Sequence, residues 1–202
     1  MPSRILPVTT LEEFFDEPLR ELVPQEVPRH YLCSLLVSTT TKPFRTIEKD
    51  GDAYAERVLK MLASTDAITA AREMREMGDT LLIGCGLYPE EIIHTAERTG
   101  KPGVEYFKGI GSNAYLVTAK ISRKRRVLFG MHNPDLFTHL SVKFDRFVDV
   151  LRYLKENVFV EAEPLRHLFV PVKDRSYDAD VSDYSVSVDD KLIIGIDINT
   201  KN

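Results

Sequence analysis

The strongest run of apolar positions follows Asn133-Pro134, where Leu136, Phe137, Leu140, Phe144, Phe147, Val148, Leu151 and Leu154 recur at three-to-four spacing. Asparagine then proline supplies a cap and a first-turn residue, so the pattern predicts one long amphipathic helix reaching about Asn157. A second core helix is predicted from Val104 to about Ser122, with Tyr106, Phe107, Ile110, Ala114, Tyr115 and Val117 on its apolar face and Gly109 and Gly111 in its middle. From Ala67 to about Leu87 the period is again helical, behind a cap at Asp66. Gly78 and the Gly84-Cys85-Gly86 triplet interrupt it, which predicts two helices or one bent helix.

Shorter helices precede these. Thr9 and Thr10 each have a glutamate three residues later, the spacing of a capping box, so a short first helix begins there. Pro28 suits a first turn, where its missing N–H would have had no partner. It opens a helix to about Ser38 with Tyr31, Leu32, Leu35 and Leu36 as its apolar stripe. Asp50-Gly51-Asp52 reads as a turn into a helix ending near Ser64, lined by Ala53, Val58, Leu59 and Leu62. Pro89-Glu90-Glu91 places a proline and two acids in the first turn of a helix that stops before Gly100, where Gly100-Lys101-Pro102-Gly103 breaks the chain.

Beyond Pro164 the character changes. Asp178, Asp180, Asp183 and Asp189 punctuate a polar stretch, and Leu192 to Ile198 is the best strand candidate. The expected fold class is therefore mainly α: a compact bundle of about seven helices over residues 1–163, with a polar, nonhelical extension over 164–202 carrying a candidate strand at 192–198.

Composition narrows the function classes. With 43% hydrophobic and 29% charged residues the chain is an ordinary globular one. A net charge of -4 gives no global attraction to phosphate backbones, which disfavours a nucleic-acid binder unless a local patch supplies it. The beginning of the chain lacks a secretory apolar core, and no stretch approaches the roughly 20 apolar residues of a spanning helix. A cytoplasmic location without membrane contact is expected. Cys33 and Cys85 lie in separate apolar segments without metal-ligand spacing, so both are expected as reduced, buried thiols.

The glycines within helical sequence cost about 1 kcal/mol each relative to alanine, so close helix packing or a site beside the backbone must compensate. Asp79 draws notice because a carboxylate in an apolar run must be paired or hydrogen-bonded if buried; capping a helix over Leu81 to Cys85 is its simplest use. If the glycine-bearing helices enclose a pocket, Asp79, Tyr88, Tyr106 and Tyr115 are its candidate polar lining. Glu91 and His94 have the interval of one di-iron ligand pair, but no second such step exists, and Asp178-x-Asp180-x-x-Asp183 lacks the glycine and glutamate of a calcium loop. Gly84-x-Gly86 and Gly109-x-Gly111 lack the third glycine and preceding strand of a dinucleotide motif. No metal and no cofactor is expected. Arg123, Lys124, Arg125 and Arg126 form a basic run that suits phosphate or an acidic partner, although a solvated loop or helix end is the simpler account of it.

Several of these positions together resemble a group of uncharacterised bacterial helical proteins. The resemblance is carried by Tyr31, Leu32, Leu35 and Leu36, by Gly78 and Asp79, by Gly86, Tyr88 and Pro89, and by Tyr106, Phe107, Gly111, Ala114 and Tyr115. It spans about residues 25 to 120; Leu87 stands where that pattern has an aromatic. It implies a helical fold and brings no activity with it. The functional expectation is a noncatalytic protein acting through protein contacts, by self-association or with an acidic partner. The alternatives are an enzyme or small-ligand binder with a pocket between the glycine-bearing helices, and nucleic-acid binding through residues 123–126.

Overall fold

The computed structural model describes residues 10–41, 51–63, 66–100, 102–124 and 133–159. The expected extension over 164–202 with its strand at 192–198, and Arg125 and Arg126, lie outside the described residues. Within them the fold is mainly α, without a strand. The helices are α1 (Leu11–Leu22), α2 (Glu26–Thr41), α3 (Gly51–Leu62), α4 (Ala67–Leu87), α5 (Pro89–Thr99), α6 (Val104–Lys124), α7 (Pro134–Val142) and α8 (Phe144–Leu154), followed by a π-helical turn at Lys155–Phe159. No helix among the described residues is long and apolar enough to cross a membrane. Residues 10–41 and 154–159 belong to one compact unit and the remaining described residues to a second.

In the first unit, Thr10 caps α1. Its hydroxyl accepts from the Glu13 N–H at 3.2 Å while the Glu13 carboxylate accepts from the Thr10 N–H at 3.1 Å, so two end donors are satisfied reciprocally. The helix runs on through Pro18, and Phe15 and Leu19, one turn apart, are fully buried. α2 begins two residues earlier than the proline pattern predicts, with Pro28 still in its first turn. Leu32 and Leu36 of the expected stripe are fully buried. The two helices are antiparallel: Glu12 lies against Cys33, whose thiol donates to the Glu12 carbonyl at 3.2 Å, and Asp16 against Arg29, whose Nε donates to Asp16 Oδ1 at 3.0 Å. Arg20 Nε donates to the other Asp16 oxygen at 2.8 Å. The π turn replaces the last α-turn expected near Asn157. It ends on buried Phe159, which packs edge-on to Phe15 at 5.4 Å and stacks on Phe14 at 6.3 Å.

In the second unit α4 is one continuous helix; the glycines do not divide it. Every residue from Leu81 to Pro89 is buried, which a helix segment apolar on all sides requires. The glycines are notches for neighbouring side chains. A Cβ on Gly78 would lie 2.7 Å from Tyr115 Cδ1, and one on Gly86 would lie 2.6 Å from Leu151 Cβ. One on Gly111 would meet the Phe144 ring, with Cε2 2.8 Å away, and Leu81 Cβ at 3.1 Å. Because Gly78 faces Tyr115 and Leu81 faces Gly111, α4 and α6 run antiparallel.

Two sequence expectations are corrected here. The helix predicted from Pro134 to Asn157 breaks at Lys143, whose N–H bonds to the His139 and Ser141 carbonyls. The hydroxyl of Ser112 on α6 donates to the Ser141 carbonyl at 3.0 Å, and the Phe144 ring, just past the break, fills the Gly111 notch. Leu140, Phe144, Phe147, Val148 and Leu151 are all buried, so the apolar period passes through the break and carries no sign of it. On α3 the expected core residue Leu59 is 68% exposed, and Tyr54 is buried instead, edge-on to Phe107 at 6.0 Å. Helical spacing puts Val58 and Met61 on the Tyr54 face and turns Leu59 away from it.

Gly111→Ala should lower the unfolding free energy by about 1–3 kcal/mol, because the added methyl meets the buried Phe144 ring and lies 3.1 Å from Leu81 Cβ. Gly109→Ala, where nothing lies within 4 Å of the added carbon, should be neutral or stabilising by up to about 1 kcal/mol. The urea denaturation midpoint should therefore fall for Gly111→Ala and stay or rise for Gly109→Ala. The Asp16 carboxyl is held below its usual 3.8, first by the Arg20 hydrogen bond and also by Arg29. A lowered carboxylate pKa stabilises the fold above the unfolded value of 3.8, and that contribution is lost as pH falls through the folded value. The stability gap between the native chain and Asp16→Asn, followed by thermal unfolding, should accordingly narrow below about pH 4.

Candidate functional site

The seam between α4 and α6 holds Gly78 and Gly111 and two of the four polar residues proposed to line a pocket, Asp79 and Tyr115. At its middle, Tyr115 is fully buried with its ring over Gly78, 5.8 Å from the Phe137 ring and 5.9 Å from that of Phe144. A phenol in such surroundings needs an acceptor for its hydroxyl. Asp79, one residue beyond the notch, provides it: Tyr115 Oη donates to Asp79 Oδ1 at 2.8 Å. The Asp79 side chain is 18% exposed, so the carboxylate spans the buried phenol and the protein surface.

One turn earlier on α4, Arg75 Nε lies 3.8 Å from Asp79 Oδ2, close enough for an ion pair and too far for a hydrogen bond. That Nε is buried and has no hydrogen-bond acceptor among the described residues. Asp79 is thus a mid-helix acceptor. The expectation that it caps a helix over Leu81 to Cys85 is corrected, because α4 has no N-terminus there.

Tyr88 and Tyr106 are elsewhere. Tyr88 is buried at the junction of α4 and α5, its N–H bonded to the Gly84 carbonyl at 3.0 Å. Tyr106 is half-buried in the first turn of α6, edge-on to Phe107 at 5.5 Å. The antiparallel register carries both toward the same end of the seam, nine positions along their helices from Asp79 and Tyr115. At about 1.5 Å of rise per residue that is roughly 14 Å. The four candidates are therefore split between the middle and one end of the seam.

A second polar feature, between α6 and α8, leaves only part of its trace in the sequence. Lys108 Nζ bonds to Glu105 Oε1 at 2.9 Å and to Asp145 Oδ1 at 3.1 Å, fastening α6 to α8. The Glu105 hydrogen bond, then that of Asp145, holds the ammonium above its usual pKa. The Glu105–Lys108 spacing and the Arg75–Asp79 spacing are both legible as neighbours on one helix face. The Asp145 contact depends on tertiary packing and leaves no local signal.

The cysteines are inert, and Arg123 of the basic run is already engaged. Cys85 is fully buried and burial pushes its thiol up to about 12; burial likewise pushes Cys33 up to about 11, so neither is poised as a nucleophile. Both cysteines are free. His94 is exposed on α5, and no group of three His, Cys, Asp or Glu side chains among the described residues is arranged to hold a metal. Of the basic run, Arg123 and Lys124 are exposed at the end of α6. Arg123 Nη2 donates to Asp135 Oδ1 at 3.0 Å and to Thr138 Oγ1 at 3.2 Å.

Chemically, the arrangement at mid-seam is a hydrogen-bonded phenol held by a carboxylate, with its ring filling the space that Gly78 leaves. Tyr115→Phe keeps the ring and removes the donor, so it should cost about 1.5–3 kcal/mol, the range for hydrogen bonds to charged groups. Tyr115→Ala also empties the notch and should cost about 3–5 kcal/mol; chemical denaturation of both variants measures the difference. Titration with an aromatic disulfide reagent at pH 8 should find both thiols slow in the folded chain and both fast in guanidinium. Rapid labelling of Cys85 in the native protein would contradict its burial.

No family model, curated protein or solved structure matches this chain, so the reading of the seam rests on its own geometry.

Proposed function

We propose that this chain is a noncatalytic cytoplasmic protein that acts through protein contacts on its helical surfaces, by self-association or with an acidic partner. One observation carries the reading: the spaces left by Gly78, Gly86 and Gly111 are filled by Tyr115, Leu151 and Phe144. The glycines thus serve close packing of α4 against α6 and α8, where a ligand would otherwise have to sit. The polar groups at mid-seam support the same reading, since the Tyr115 hydroxyl and the Asp79 carboxylate are engaged with each other. An enzyme or small-ligand binder built between these helices would require Asp79, Tyr88, Tyr106 and Tyr115 to converge, and they divide between two places. Nucleic-acid binding through residues 123–126 is weakened by the engagement of Arg123 with Asp135 and Thr138.

Native mass spectrometry of the purified full chain tests the proposal. The expected spectrum contains the 23.0 kDa polypeptide or whole multiples of it, free of stoichiometric adducts. Whole multiples support self-association, and a monomer restricts the contacts to a different partner. A small molecule retained at one per chain would overturn the noncatalytic reading in favour of a ligand site.

A further inference from the structure

We draw no further inference here: the strongest candidate, the exposed cationic end of α6 at Lys120, Arg123 and Lys124, carries nothing because Arg123 is already paired with Asp135 and nothing in the structure shows what covers the two lysines.

Discussion

Backbone approach at three helical glycines governs the larger unit. A helix normally keeps its neighbours about 8–10 Å from its axis because side chains stand between them. At Gly78, Gly86 and Gly111 that spacer is missing, and a large side chain from another helix lies where it would have been. The favourable term is the contact made by Tyr115, Leu151 and Phe144, all buried, with the backbone they reach. The opposing term is the lower helix propensity of glycine, about 1 kcal/mol per position. α4 remains continuous because packing at its buried C-terminal half outweighs that local preference.

Polar interactions then set which way the packed helices face. The Tyr115 hydroxyl meets Asp79, and the Ser112 hydroxyl meets the Ser141 carbonyl at the break between α7 and α8. Lys108 joins α6 to α8 through Asp145. The two hydroxyl contacts satisfy part-buried groups that are costly to leave unpaired, so misaligned packing is penalised more than the aligned form is rewarded, whereas the exposed Asp145 makes the Lys108 contact a weaker fastening. In the smaller unit the pairing of Asp16 with Arg29, and of Cys33 with the Glu12 carbonyl, does the same for α1 and α2.

Much of this architecture was legible in the sequence, because caps and periods are local. Thr10, Asp66 and Asn133 all cap the helices expected of them, and Gly100, at φ 65°, ends α5 where predicted. Breaks that depend on tertiary contact were not legible. Lys143 interrupts an apolar stripe without altering its period, and Gly78 suggested an interruption that the Tyr115 ring makes unnecessary. Of the candidate site, the types of residue are readable but not their partners: Asp79 reads as a carboxylate needing company, and only the fold brings Tyr115 to it across 36 positions. The register that separates Tyr88 and Tyr106 from that pair likewise follows from how α4 and α6 align, which no single helix encodes.

The notch at Gly111 and the ring of Phe144 are two halves of one fitted joint, contributed by segments 33 positions apart. Neither half can change size alone without leaving a clash or a void. Across any lineage carrying this fold, a bulkier residue at the first position should therefore travel with a smaller one at the second, so the pair would drift as a single hereditary unit while exposed Gly109, two residues away, varies freely.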